Sequence, residues 1–334
     1  MTDTQRRLAA NEALVANIVD HLGRGELTNV TLGDHPITTG FEPLDHELEG
    51  GFRPGQLVVL GGPPGVGKTV LALQFARSAA AAGSDAVFAC YEHDTHQLFG
   101  RLLAGEIGSL GEVLDIDERV GLRSVIRDAM SGAWATDPAS TRLPRVRAAL
   151  SRVETYANRL LLVSANRHTD LVELDRLAGE VSGSGGVLVV DYLQKVPAAN
   201  VAFRDRVPVV TEELKDLALR HGITVIALSS AGSKSLEERR IGLPSLTGAS
   251  AIAYEADLAL IMNEKSSIVS RVHVNSDPLR LKSFHEWIVL TIEKNRRGPA
   301  PIDLEFRKEL QFFRFDSAGR YVSEKLIDDV LYAE

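Results

Sequence analysis

The sequence predicts an α/β fold: a mostly parallel central sheet covered by helices. Seven apolar runs recur along the chain, at 57–60, 86–90, 160–163, 187–190, 223–228, 258–262 and 287–292. They are continuous rather than alternating, as suits strands buried on both faces of a parallel sheet. Segments with helical spacing of apolar residues separate most of them, the order expected of β-α-β units. With 334 residues, 44% of them hydrophobic, the chain can bury one large core.

Taken in order, residues 1–36 differ from the rest. Leu8, Leu14, Ile18 and Leu22 form an apolar stripe stopped by Gly23 and Gly25, and a polar connector follows through Asp34 and Pro36. So short an amphipathic helix does not stand alone in water, so it is expected to dock on its own domain or on a neighbour. We therefore divide the chain into a helix and connector at 1–36 and one α/β domain at 37–334.

The first strand runs into Gly62-Pro63-Pro64-Gly65-Val66-Gly67-Lys68-Thr69, which fits G-x-x-x-x-G-K-[ST]. Glycines at 62, 65 and 67 let backbone N–H groups curl around a triphosphate, with Lys68, Thr69 and Val70 opening the next helix. Lys68 reaches the β- and γ-phosphates and Thr69 offers its hydroxyl to Mg²⁺. Residues 70–82 read as that helix, with Leu71, Leu73, Phe75 and Ala76 inward. The motif in this strand–loop–helix setting is a P-loop, so ATP and Mg²⁺ are the expected ligands.

The run 86–90 ends in Cys90, the only cysteine, which excludes a disulfide framework and a cysteine-rich zinc site. Glu92 closes this strand at the same sheet edge as the P-loop, where a carboxylate can orient or deprotonate an attacking water. By residue type alone it is also a plain strand-end acid, with His93 and Asp94 ready to cap the helix at 94–106. The run 187–190 ends in Asp191, the acidic strand end that holds Mg²⁺ through water. Helices are expected again at 171–181 and 209–221, where Leu214, Leu217 and Ala218 keep helical spacing.

Three polar stretches read as connectors: 131–144, 197–206 and 231–244. The last two follow strands and so belong near the ligand-binding edge of an open parallel sheet. The last apolar run ends in Lys294-Asn295-Arg296-Arg297-Gly298, whose basic groups suit charge on a transferred phosphoryl group. By residue type alone a solvated surface turn accounts for them as well. Residues 312–315 suggest a further strand, and Val322, Leu326 and Leu331 in the tail suggest a packed terminal helix.

The net charge of −8 argues against nonspecific binding of polyanions by the whole molecule. Any nucleic-acid contact must then come from local basic loops. No run is long enough to span a bilayer, and residues 1–10 lack a signal-peptide core. The expected location is the cytoplasm.

With these residues in hand, the stretch from about 38 to 315 resembles the ATPase domain of the DnaB-type replicative helicases, a RecA-fold family of ring-forming motors. The matching motifs come in order. They are Thr39-Gly40-Phe41 with Leu44-Asp45 and Gly50-Gly51, the P-loop, and Glu92 with Gln97-Leu98 and Arg101-Leu102-Leu103-Ala104. After them come Asp191-Tyr192-Leu193-Gln194, Leu214-Lys215 with Leu217-Ala218, Ala256-Asp257-Leu258, and Lys294, Arg296, Gly298 and Pro299.

The resemblance implies a RecA-like P-loop NTPase assembled as a homo-hexamer with ATP between subunits. Glu92 and Lys68 would be catalytic, and Lys294 and Arg296 would reach the nucleotide of the adjacent protomer. It also implies that the loops after Tyr192 and Ser229 line a central channel. There Arg204, Arg206, Lys234, Arg239 and Arg240 would meet the phosphates of single-stranded DNA. Residues 1–36 would match the linker helix that docks on the neighbouring ATPase domain.

Three departures stand out. The family's globular N-terminal domain has no counterpart in the matched stretch. Ser230 stands where family members usually carry a glutamine. The Gly-Gly-Pro-Pro-Gly-Val-Gly pattern of the P-loop resembles KaiC-like and RadA-like ATPases. The expected function is an ATP-dependent DNA helicase. The alternative is a KaiC- or RadA-like regulatory ATPase acting on protein partners.

Overall fold

The computed structural model describes residues 35–112, 115–133, 143–182, 185–199, 201–202, 205–232, 235, 237–270 and 283–327. The stripe expected at Leu8 to Leu22 and two basic residues, Arg204 and Lys234, lie outside the described residues, as does Leu331.

All seven expected runs are strands: β1 (Leu57–Gly62), β2 (Ala86–Cys90), β3 (Leu160–Ser164), β4 (Val187–Asp191), β5 (Thr224–Ser230), β6 (Leu258–Glu264) and β7 (Trp287–Asn295). Three more follow: β8 (Ile302–Glu309), β9 (Arg314–Phe315) and β10 (Arg320–Tyr321). They form one sheet in the order β10-β8-β7-β6-β1-β5-β4-β2-β3, with β9 paired to β8. From β6 to β3 every pairing is parallel, and β7, β8 and β10 extend the sheet antiparallel.

Continuous apolar runs were the right signal for β1, β2 and β4 because both faces are covered there, whereas β3 at the sheet edge is part-exposed, with Leu161 48% exposed. Val58 and Leu60 of β1 face α2 (Lys68–Ala81) in a core with Leu71, Phe75, Phe306 and Phe41, the residue before α1 (Glu42–Glu47). Leu57 and Val59 point the other way, into a core with Leu174 and Leu177 of α6 (Leu171–Glu180) and Leu214 of α7 (Arg206–His221). Phe41 meets Phe75 and Phe306 edge-on at centroid distances of 5.5 and 5.1 Å. Each such pair is worth about 0.5–1.5 kcal/mol beyond its buried area. This aromatic cluster fixes α2, and with it the P-loop, against the sheet.

Helix α3 (Thr95–Ser109) starts as expected, with Asp94 accepting the Gln97 N–H at 2.8 Å. Two helices beyond it were not anticipated: α4 (Ile116–Met130) and α5 (Pro144–Glu154). They share a smaller core with α3 through Leu103, Ile107, Leu122, Val125, Val146 and Ala149. The expected connector at 131–144 therefore ends inside a helix, since Pro144 occupies the first turn of α5.

The tail corrects another expectation. Residues 316–327 form no helix: β10 pairs with β8, and Leu326 bridges to Val269. The free edge of β8 and the residues after β6 offer unpaired backbone groups, and the tail satisfies them. Among the described residues no helix is long and apolar enough to cross a membrane.

Candidate active site

The P-loop follows β1 directly. Gly62, Gly65 and Gly67 all take positive φ, at 151°, 80° and 102°. At Gly62 a Cβ would lie 2.7 Å from the Met262 carbonyl oxygen, and at Gly67 one would lie 2.6 Å from Phe315 Cζ. At Gly65 it would meet nothing, so the loop is walled on one side and open on the other. No side chain caps α2, so its first-turn N–H groups are left for an anion.

Lys68 Nζ donates to the carbonyls of Gly62 and Pro63, both at 2.9 Å. Burial pushes its ammonium down to about 8, although the Asp191 and Glu92 carboxylates nearby favour the charge. Thr69 Oγ1 donates to Asp191 Oδ2 at 2.8 Å. Asp191 is 2% exposed at the end of β4, and burial raises its pKa above the ordinary range, against hydrogen bonds from Thr69 and Cys90. The peptide bond between Asp191 and Tyr192 is cis. Cys90 Sγ lies 3.5 Å from Asp191 Oδ2, and burial lifts the thiol to about 12, which makes it an inert neighbour of the site.

Glu92 stands two residues beyond β2, with Lys195 Nζ 4.0 Å from its Oε1. Its side chain is 42% exposed and open to water. The strand order β5-β4-β2 brings Glu92, Asp191 and the P-loop to one edge of the sheet. Ser230, which stands where family members usually carry a glutamine, is half-buried at the end of β5 and opposite Gly62 in the β1–β5 register. Beside it Gln194 Nε2 donates to Ser229 Oγ at 3.0 Å.

Several groups at the site were not assigned roles from sequence. A cavity of about 290 Å³ runs along the stripe Val70, Gln74 and Arg77 of α2 and is closed by Arg101 and Phe313. The Arg101 guanidinium lies 5.4 Å from the Phe313 ring centroid, and its buried Nε has no hydrogen-bond partner among the described residues. Burial lowers its pKa, against Cys90, Asp191 and Glu92. Its position nine residues after Glu92 was visible in the sequence, but the approach of Phe313, over two hundred residues later, was not.

The basic cluster after β7 lies elsewhere. Because β7 runs antiparallel to β6, Asn295 pairs with Leu258 at the start of β6. Arg296 therefore sits at the edge where β1 begins, opposite the edge where it enters the P-loop. There Arg296 Nη1 donates to Asp257 Oδ1 at 3.1 Å and Nη2 to the Tyr254 carbonyl. Lys294 Nζ donates to the Ala253 carbonyl at 2.7 Å. Burial lowers the Lys294 pKa, and Arg296 nearby adds to the shift.

Of the strand-contact residues, Arg206 is the first residue of α7 rather than part of a loop. Arg239 is exposed. Arg240 turns back onto the sheet, where Nη2 donates to Asp303 Oδ1 at 2.8 Å with its side chain 15% exposed. Arg239 thus faces solvent and Arg240 the body of the domain.

A sequence profile of the DnaB-like helicase C-terminal domain matches residues 36–316. The replicative DNA helicase DnaB of Mycoplasma genitalium is 26% identical over 310 residues, covering 89% of this chain and 58% of that protein. The replicative DNA helicase DnaC of Bacillus subtilis is 26% identical over 317 residues, covering 90% and 60%. The DNA repair protein RadA of Mycobacterium tuberculosis is 41% identical over 81 residues, 24% of this chain and 16% of RadA. The chain spans about half the length of the curated relatives it matches.

Among solved structures, the ATPase domain of G40P superposes with a TM-score of 0.66 at 16% identity, covering 90% of this chain and 99% of that one. A DnaB-like replicative helicase studied with primase gives 0.64 at 17%, covering 90% and 67%. These two agree with the RecA-like fold. The profile covers β1 to β9, the P-loop and the turn that carries Arg296, and on that extent the chain belongs to the DnaB-like helicase C-terminal domain family.

Proposed function

We infer that this chain is the ATP-hydrolysing motor domain of a ring-forming helicase acting on single-stranded DNA. One observation carries the reading: the P-loop and Arg296 lie at opposite ends of β1. That strand has six residues and spans about 17–20 Å. An arginine so placed does not serve the nucleotide of its own chain. A second copy, set with this edge against the P-loop edge, completes the site, and repetition of that contact closes a ring.

In this reading the P-loop N–H groups and Lys68 hold the phosphates of ATP. The adenine and ribose extend along α2 into the cavity between Val70, Gln74, Arg101 and Phe313, where a cation and an aromatic ring suit a purine. Thr69 and Asp191 offer converging oxygens, the donor type that Mg²⁺ takes, so both would hold the cation, Asp191 through water. When bound, the cation offsets negative charge on the β- and γ-phosphates.

Glu92 orients a water and takes its proton as the water oxygen bonds to the γ-phosphorus. The bond from that phosphorus to the bridging oxygen breaks, leaving ADP and phosphate. Arg296 from the adjacent copy stabilises charge on the transferred group, with Lys294 beside it. Arg239, together with Arg204, Arg206 and Lys234, supplies strand contacts. Residues 1–36 act as the linker to the neighbouring copy, in the cytoplasm.

The regulatory alternative is not favoured. The family profile spans residues 36–316, whereas likeness to RadA covers 24% of the chain. The test is steady-state ATP hydrolysis with and without single-stranded DNA, with mass measured by light scattering in the same buffer. A hexamer stimulated by the strand is expected. Monomers that turn over at the same rate with or without DNA would overturn the reading.

A further inference from the structure

The carboxylate of Asp257 joins three parts of the fold at the edge opposite the P-loop. It is buried, and its Oδ2 accepts the Leu57 N–H at 2.8 Å and Lys215 Nζ at 2.7 Å. Its Oδ1 accepts from Arg296 Nη1 at 3.1 Å. The Asp257 backbone carbonyl also accepts the Arg296 N–H at 2.9 Å, so residue 296 is fixed through main chain and side chain together. Lys215 is tied in turn to the Gly55 carbonyl at 2.8 Å.

We propose that Asp257 is the positioning residue for Arg296, holding its guanidinium at the subunit edge in the orientation required by the nucleotide of an adjacent copy. This rests on the reading of Arg296 as a group acting across copies. An exposed arginine samples many rotamers, and fixing it before the reaction removes that cost from the barrier. Arg296 is such a side chain, 46% exposed, yet anchored to a carboxylate that is 12% exposed. Lys215 and the Leu57 N–H hold that carboxylate in place, so the guanidinium inherits a fixed direction. The same carboxylate holds the first residue of β1, whose far end is the P-loop.

The test uses mixed assemblies of the full chain. Asp257→Asn is expected to lower turnover by about 10²-fold, the order that a small misplacement of a reacting group costs, with nucleotide affinity unchanged. Mixing it with Glu92→Ala subunits, whose own sites are dead but whose Arg296 is well held, should restore activity at the interfaces they share. A merely structural role for Asp257 would damage its own site, and no mixing would repair it.

Arg296→Ala mixed with Glu92→Ala is the reference. If that pair recovers activity and the Asp257→Asn pair does not, Asp257 is not the positioning residue. If neither recovers, action across copies itself fails and takes the proposal with it. Should Asp257→Asn not fold, Asp257→Glu keeps the charge and moves it by one methylene. Reduced turnover, recovered on mixing, is expected there too, and undiminished turnover would overturn the proposal.

Discussion

Gln74 holds Phe315 by both of its backbone groups. Its Nε2 donates to the Phe315 carbonyl at 3.0 Å, and the Phe315 N–H donates to its Oε1 at 2.8 Å. The ring so held is fully buried and lies against Gly67 of the P-loop. A residue near the end of the domain thus forms the floor under the P-loop turn.

Phe315→Ala should therefore do two things at once. Deleting a buried ring costs about 3–5 kcal/mol, and the void opens beneath Gly67. Urea unfolding should show the loss of stability, and titration with a fluorescent nucleotide should show weaker binding under conditions where the variant is still folded.

Arg296→Ala should leave nucleotide affinity nearly intact while turnover falls by about 10³- to 10⁵-fold, the range for losing an arginine that stabilises a transferred phosphoryl group. Equilibrium titration and steady-state hydrolysis on one preparation separate the two effects. Weakened binding with unchanged turnover would remove Arg296 from the chemistry.

Arg239 and Arg240 are adjacent in sequence and should behave differently. Arg240→Ala leaves Asp303 and Thr291 without their shared donor and should cost about 1–3 kcal/mol in stability. Arg239→Ala should leave the melting temperature alone and weaken strand binding in a salt-dependent way. Melting curves and binding isotherms at two salt concentrations would test both.

Glu293 gives a prediction in pH. Burial raises its carboxyl above the ordinary range, against the Leu243 N–H and Arg240, and Asp303 adds to the shift. An acid whose pKa is higher in the folded state favours folding when protonated. That contribution is complete below the unfolded pKa and is lost as pH rises through the folded one. At neutral pH the charged group is a liability. Glu293→Gln, which can still accept the Leu243 N–H, should raise the melting temperature at pH 7 and lose that advantage towards pH 4.

Much of the domain was legible because the information was local. A strand buried on both faces announces itself by continuous apolar residues, and β1, β2 and β4 did so. Helices α4 and α5 were missed because each buries only a narrow stripe, Leu122, Val125, Ile126 and Ala129 in one, Val146, Ala149 and Val153 in the other, among many charged residues. The tail was misread for the opposite reason: Val322 and Leu326 allow a helical stripe, but backbone groups along β8 and after β6 bind it as an extended segment.

The P-loop was legible in the sequence, since eight consecutive residues spell its motif and its neighbours carry the strand and helix that frame it. The sequence also marked Glu92 and Asp191 as acids at or near strand ends, because an apolar run followed by a charge is a short-range pattern. Which of these groups meet depends on how the strands are ordered in the sheet. The sheet order brings Glu92, Asp191 and Lys68 to one edge, and the antiparallel return of β7 carries Arg296 to the other. The tertiary structure likewise put Phe315 under Gly67 and turned Arg240 onto Asp303. Phe315 lies 248 positions after Gly67 and Asp303 lies 63 after Arg240, and such partners are selected by the packing of the whole sheet and its helices, which no local pattern of residues encodes.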